Sequence, residues 1–497
     1  MKPTYEQLEA KVAEQEQHLS KQEQLLSKQE QLLSKQEQHL SKQEQLLSKQ
    51  EQHLAKQAKL IKQLLERVAN LEDQLNKNSK NSSKPPSSDQ KPSQGSGKKK
   101  ERRPYHPGAS RKLLSESAVT SRELRKVEQC SRCGSSMAPT GKVSSWQQVD
   151  LPEIKPLVHQ IDLHTCRCTC CQYEETPRLK EQEQYLMGSR LEALVNLCLG
   201  QFRQGHRVVR EFLSTLVPGL DLSQGLISKV KARAARSLDS AYQSICDAIV
   251  EKHEAIHIDA TGWRHHAKNE HAIVIRSGNL IRFALIPRQN GDALVELMKG
   301  RKVLHLVSDR GLAASKIHKK IHQYCLAHLL RNICGLAEHP STSVVQAGLL
   351  GEIYDALQLL FRDKHRLERG EITISTWRQY GYATWGFMEE KIEEILSSKP
   401  RDKLKRACRR MLKDWGHFKV YLRNKTFPMT NNPAEEALRN LVITRKLCFG
   451  SHSEYGKQWR ASMQSCIETL RRQGLSVWDF LTKTLRSVRN GSPCPAV

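Results

Sequence analysis

The chain has 497 residues, with 80 lysines and arginines against 53 aspartates and glutamates, for a formal net charge of +27. That length leaves room for several domains, and so large a cationic excess points to a polyanionic partner, nucleic acid first. No run reaches the ~18–20 apolar residues of a membrane helix, and no apolar signal core opens the chain. The expectation is therefore a cytoplasmic, nucleoid-associated protein with no membrane partner. Of 14 cysteines, six crowd between Cys130 and Cys171, and in a reducing compartment that favours metal over disulfides.

Residues 1–78 read as a coiled-coil oligomerisation arm. Tyr5, Val12, Leu19, Leu26, Leu33, Leu40, Leu47, Leu54, Ile61, Val68 and Leu75 stand seven apart without a break, the a column of a heptad repeat. The d column is Leu8 at the start and Leu64 and Leu71 at the end, with Gln between, so the outer heptads should grip best. The tandem copies of SKQEQLL and SKQEQHL from Ser20 to Leu54 look like the expansion of a spacer. The expected product is a parallel homodimer, the alternative a lone helix. Residues 79–125 change to Ser, Pro, Gly and Lys with the run KKKERRPYHPG, a disordered basic linker suited to phosphate.

Residues 126–178 hold CSRC and then CRCTCC. Cys130 with Cys133 and Cys168 with Cys171 make two C-x-x-C knuckles, flanked by the β-like runs WQQVDLP and LVHQIDLH. Four thiolates suit a closed, structural Zn²⁺ site, although Cys166 and Cys170 compete for the second pair. Residues 179–248 read as helices. A Gly-containing turn, Ser223 as N-cap and a following helix carrying Lys229, Lys231, Arg233 and Arg236 suggest a helix-turn-helix-like DNA-binding region, against a purely packing role.

Residues 249–340 give the pattern that organises the chain. AIHIDATGW reads as a strand ending on Asp259, HAIVIRS and LIRFALIP as two more strands, GDALVELMKG as a helix, and KVLHLVSDR as a strand ending at Asp309. Three strands, a helix and a fourth strand is the order of a ribonuclease-H-like sheet. Two aspartates on its adjacent central strands make a hard, oxygen-rich site that suits Mg²⁺. In HQYCLAHLLRNI, a fifth strand entering a helix, Cys325 and His328 read as scaffold at the site's edge, with His328 near substrate.

Residues 341–426 carry long amphipathic helices, too much chain for a loop and so an all-helical insertion. Residues 427–486 complete the core, and 487–497 are a tail. In TNNPAEEALRNLVITRKLCFGSHSEYG, Pro433 marks a helix start and Glu435 and Glu436 fall in its first turn, where the helix dipole favours acids anyway. The waiting pair of aspartates raises the functional reading, with Arg439, Arg445 and Lys446 as phosphate clamps.

Taken together, the heptads, the linker NSSKPPSSD, the two cysteine knuckles, HIDATGW, SDR, CLAHLLRNI and NNPAEEALR with RKLCFGS behind it resemble the bacterial DDE transposases of the insertion sequence 66 family. The resemblance covers nearly the whole chain, and the N-N-x-x-E segment is its most specific part. It implies a catalytic acidic triad at Asp259, Asp309 and Glu435, the last because it stands three after the second Asn. The family often has an acidic residue after the first Asp, where this chain has Ala260. Also implied are two Mg²⁺ ions about 3.5–4 Å apart, with Mn²⁺ able to replace them, that activate water to nick a transposon end and then the freed 3′-OH to attack target DNA. Accessory proteins of the same element are further implied partners. The rival readings are a catalytically silent zinc-dependent DNA-binding regulator and a ribonuclease-H-like host nuclease.

Overall fold

The structure, a computed structural model, describes residues 5–78, 112–251, 254–310 and 313–497; most of the expected basic linker, 79–111, lies outside the described residues. In chain order the elements begin with helix α1 (Tyr5–Asn76) and the short strands β1 (Cys166–Arg167) and β2 (Glu174–Glu175). Helices α2 (Ser189–Gly200), α3 (His206–Leu216), α4 (Gln224–Ser237) and α5 (Asp239–Glu251) follow. Then come β3 (Ile256–His265), β4 (Lys268–Ser277), β5 (Leu280–Ile286), α6 (Gly291–Leu297), β6 (Val303–Ser308) and β7 (His318–Tyr324). The rest is helical: α7 (Leu326–Ala337), α8 (Val344–Glu368), α9 (Ile374–Ser397), α10 (Asp402–Lys413), α11 (Trp415–Phe418), α12 (Asn432–Cys448), α13 (Glu454–Arg472) and α14 (Val477–Arg489). By contacts the chain divides into two compact units, 1–89 with 328–413 and 90–327 with 414–497.

In the first unit, α1 runs as one helix, and Val12, Leu19, Leu26, Leu33, Leu40, Leu47, Leu54, Ile61 and Val68 are each about half exposed or more. A seven-residue repeat keeps such side chains along one seam. Against the expectation that no run is apolar enough, α8 is long and apolar enough by composition to cross a membrane. Its side chains show an amphipathic core helix instead: Leu349, Leu350, Ile353, Leu357 and Leu360 are buried at helical spacing and the helix packs on α9. On its polar side Glu352 pairs with Lys391 at 3.2 Å.

The second unit is built on a five-stranded sheet of order β5-β4-β3-β6-β7. The first three strands form an antiparallel meander, whereas β6 and β7 run parallel to β3. Both faces are covered. Trp263, Ala272, Val274, Ile281 and Phe283 meet Ala434, Ala437, Leu438 and Leu441 of α12 on one side. Ile256, Ile258, Ile273 and Ile275 join the cluster of α13 residues Met463, Cys466 and Ile467 on the other. Burial on two sides explains why every residue of β5 is buried.

An edge strand presents unpaired backbone groups, and β5 meets them with side chains of α5 and α13. Ser465 accepts from the amide of Phe283 at 2.8 Å, and Thr469 accepts from that of Ile281 at 3.1 Å. The Tyr242 hydroxyl donates to the carbonyl of Phe283 at 2.8 Å.

Three expectations need correction. The runs 146–152 and 157–164 form no strand; neither has a partner to complete a ladder, and Trp146, Leu157 and Val158 stay exposed. The helix from 402 does not continue to 422 but breaks at Asp414. From there the chain is tied to β7, since Gln323 donates to the carbonyl of Phe418 at 3.1 Å and accepts from the amide of Tyr421 at 2.9 Å. Asp259 does not end its strand either, because β4 pairs with β3 from His257 to His265.

Past α12 the chain is latched to the end of β3. Ser451 accepts from the indole of Trp263 at 3.1 Å, lies 2.9 Å from His265 Nδ1, and donates its amide to Arg264 at 2.9 Å. Gly450 makes this approach possible: its φ is +119°, and a Cβ there would stand 2.0 Å from the Arg264 carbonyl oxygen. Gly450→Ala should therefore lower stability by at least ~1–3 kcal/mol in urea unfolding. Gly348→Ala in α8, where nothing lies within 4 Å, should instead raise it by about 0.5–1 kcal/mol.

Candidate active site and metal centres

The sheet register assembles the site. Ile258 of β3 pairs with Ser308 of β6, and Ser308 with Tyr324 of β7. The next residues, Asp259, Asp309 and Cys325, therefore form one row across three adjacent parallel strands. The amide of Cys325 donates to the carbonyl of Ser308 at 3.1 Å, which carries the ladder up to this row.

Helix α12 comes over the row because Asn431 pins its start. The buried Asn431 side chain donates to the carbonyl of Ile258 at 2.8 Å, and its Oδ1 lies 3.2 Å from His257 Nδ1. Its amide donates to Cys325 Sγ at 3.1 Å. Four residues later stands Glu435, and the ligand atoms of Asp309, Cys325 and Glu435 lie within 4.8 Å of one another. Asp259 is outside that set; its Oδ1 accepts from the amide of Ala260 at 2.8 Å. Two carboxylates are thus drawn together, with the third acid beside them in register.

Glu436 points elsewhere. Its carboxylate pairs with Arg276 at 3.2 Å and Arg472 at 3.6 Å, away from the Glu435 cluster. Along α12, Glu435, Arg439 and Lys446 fall at helical spacing on one face, with Arg439 and Lys446 exposed. Arg445 reaches back to β3, donating to Thr261 Oγ1 at 3.0 Å and to the carbonyl of Gly262.

Histidines behind the row are held neutral. Burial pulls His257 down to about 4, partly offset by its bond to Asn431. Burial, with His318 and His417 nearby, pulls His322 down to about 3, and its Nε2 stands 2.8 Å from Ser308 Oγ. Neutral rings support the backbone here without adding charge. Cys325, expected as scaffold at the site's edge, stands in the row itself, and Asn431 does more than precede a helix start. The place of the first follows only from the register of β6 and β7; nothing local reveals the second.

On α4 the basic residues divide. Lys229 is exposed, whereas Arg233 bonds to the buried Glu192, which also holds Arg489 at 2.6 Å. Lys231 is half-buried, its Nζ 4.6 Å from the centroid of the Trp459 ring. Seven residues, 217–223, separate α3 from α4, longer than the tight turn of a helix-turn-helix. Ile227, Val230 and Ala234 on α4 are buried in the core cluster with α13. One face of this helix packs into the core, and Lys229 lies on its exposed edge.

The two cysteine knuckles share one turn geometry. In each, the first cysteine's amide donates to the carbonyl five residues on, at 2.9 Å for Cys130 and 2.8 Å for Cys168. In each, the residue four on is left-handed, Gly134 at φ 74° and Gln172 at φ 61°. Cys168 and Cys171 thus match Cys130 and Cys133, while Cys166 lies in β1. Hydrogen bonds from Ser135 pull the Cys133 thiol down, and backbone amides of Cys171 and Cys170 do the same for Cys168. Both favour the thiolate that binds metal. Among the described residues the four sulfurs do not gather into one cluster.

Comparison with known families covers the same segments. The model of the transposase IS66 family matches residues 196–458, just over half the chain. That of the zinc-finger binding domain of transposase IS66 matches 128–172 and spans both knuckles. A family of unknown function, DUF6444, matches 1–113. Among curated proteins none matches the chain.

The zinc-finger match supports structural Zn²⁺, and the paired turns set Cys130 with Cys133 and Cys168 with Cys171 as the ligands to test. Metal analysis should give one zinc per chain for the native protein, Cys166→Ser and Cys170→Ser, and a loss in Cys130→Ser and Cys168→Ser. Full zinc in Cys168→Ser with loss in Cys166→Ser would reverse the choice.

Proposed function

Because this chain belongs to the IS66 family of transposases, a transposase-type enzyme with DNA as its partner, we propose that it cleaves transposon ends and joins the exposed 3′-OH to target DNA at a site made by Asp259, Asp309 and Glu435. The support is one observation: Asp309 and Glu435 bring their carboxylates within 4.8 Å at a row that Asp259 shares by register, inside the family-matched segment. The strand order and the parallel pairing of β3, β6 and β7 favour a ribonuclease-H-like core.

The donor set is hard and anionic, which fits Mg²⁺, with Mn²⁺ able to replace it. Held by Asp259, Asp309 and Glu435, two such ions would supply Lewis-acid activation of the attacking oxygen and charge stabilisation on the leaving one. The protein's own part is placement. Asn431 fixes the start of α12 to β3, so Glu435 arrives over Asp309 rather than turning to solvent. Arg439 and Lys446 extend from the Glu435 face of the helix as partners for the phosphates flanking the scissile bond. Arg445 is bonded to Thr261 and Gly262 and braces the strand just beyond Asp259. Work on cytoplasmic, nucleoid DNA follows from this reading, and accessory proteins of the same element remain part of it.

Asp259→Asn, Asp309→Asn and Glu435→Gln should each lower strand cleavage by more than about 10²-fold, while gel shifts with transposon-end DNA stay unchanged. Glu436→Gln should retain cleavage, since its exposed ion pairs contribute at most about 1 kcal/mol to stability. Retained cleavage in Glu435→Gln with loss in Glu436→Gln would reverse the assignment.

We further propose that α1 pairs in parallel with α1 of a second copy. The support is its column of exposed Val, Leu and Ile every seven residues, a pattern that a lone helix leaves in water. Light scattering should show a dimer for the full chain and a monomer after deletion of residues 1–75. An unchanged oligomer in the shortened chain would dismiss the arm's role.

A further inference from the structure

Two cations share one aromatic ring in the second unit. Lys231 Nζ lies 4.6 Å and Arg460 Cζ 4.7 Å from the centroid of the Trp459 ring. Arg460 is 9% exposed, and its Nη1 is buried with no hydrogen-bond partner. Among the described residues no carboxylate pairs with either group, and Glu454, the acid in the adjoining turn, bonds to His265 at 2.8 Å. The Cys448 sulfur lies near both cations. The N-terminal turn of α13, whose Gly456 lies beside Lys231, adds the positive end of a helix dipole. The Cys448 thiol donates to the carbonyl of Gly450 at 3.3 Å.

Burying unpaired charge is costly, so a pair of cations held this way calls for an anion. We propose that Lys231, Arg460 and Trp459 form a seat for one phosphate group of bound DNA. The proposal rests on the DNA-binding reading above and adds the place of a contact. The ring of Trp459 is itself fixed, its indole donating to Asn196 at 2.9 Å, so both cations are held without a carboxylate that would compete for them. The missing side chain at Gly456 keeps the approach to Lys231 open: a Cβ there would stand 3.9 Å from its Nζ. The cations respond as desolvated groups should. Burial first, then Arg460, pulls Lys231 down to about 8, and burial pulls Arg460 down to about 10, the nearby Cys448 sulfur offsetting part of each shift. An oxyanion beside each cation would oppose both effects.

The test uses the full chain with Lys231→Met and Arg460→Met. In thermal melts, inorganic phosphate should raise the Tm of the native protein above potassium chloride of equal ionic strength, and both variants should lose that rise. In titrations with duplex DNA, each variant should reduce the slope of log K against log salt by about 0.9, the value for one phosphate. Without phosphate, Arg460→Met should melt no lower than the native chain, because it removes an unpaired buried charge. Should Arg460→Met fail to fold, Lys231→Met, at a less buried position, carries the comparison. A phosphate-dependent rise kept in both variants overturns the seat. A rise lost in both with an unchanged DNA slope overturns DNA as the source and leaves free phosphate as the ligand. A native chain that binds no DNA would refute the transposase reading, while the phosphate melts still judge the pocket.

Discussion

The amide of Asn431 is the contact on which the candidate site depends. It donates to the Ile258 carbonyl, sits against the His257 ring and donates its own backbone amide to Cys325. Three bonds from one buried residue join the start of a helix to β3 and to Cys325 just past the end of β7. Leaving those groups unpaired would cost about 1–3 kcal/mol each, which holds α12 to one position along β3. The acid four residues on then has little freedom to choose its neighbour, and Glu435 rather than Glu436 meets Asp309.

The same sheet must be rigid under that helix, and its construction provides it. The outer strand β5 has its spare backbone groups met by Ser465, Thr469 and Tyr242, so the edge offers no template for another strand. At the other end, Ser451 ties the chain after α12 to Trp263, Arg264 and His265. Helix α12 is therefore fixed at both ends to one strand, through Asn431 at its start and the Gly450–Ser451 latch after its end. A carboxylate borne on such a helix is held by the scaffold rather than by a loop.

Much of this was legible in the residues, and the places where it was not share a physical cause. Apolar runs gave the five strands of the sheet and their order along the chain, and Asp309 does follow the end of its strand. Asp259 was misjudged as a strand end because the hairpin beyond it turns at His266 and Ala267, both at positive φ. The Asn-Gly or Asp-Gly pair that usually announces such a turn is missing. Pairing across a sheet is non-local, so Cys325 joined the row only once the register was known. The turn that Cys168 shares with Cys130 is likewise invisible in spacing, which allows Cys166 as well. Arg233 looked like a DNA contact from its neighbours in sequence. Its true partner, Glu192, stands 41 residues away.

That last residue shows how charge should be read in a chain this basic. A net +27 says that an anion is sought without saying which cations seek it. Arg233 and Arg489 are already balanced by Glu192, and Lys457 by Glu270 at 2.8 Å; such groups hold elements together. Lys229 and Arg439 lie in water, where counterions can be released cheaply to a passing phosphate. Lys231 and Arg460 belong to neither class, being taken out of water without an acid to meet them. Sorting cations by partner and burial, rather than by position in sequence, separates scaffold, electrostatic field and seat. The total charge then divides into parts with different physical work, and only the unmatched part points to a ligand.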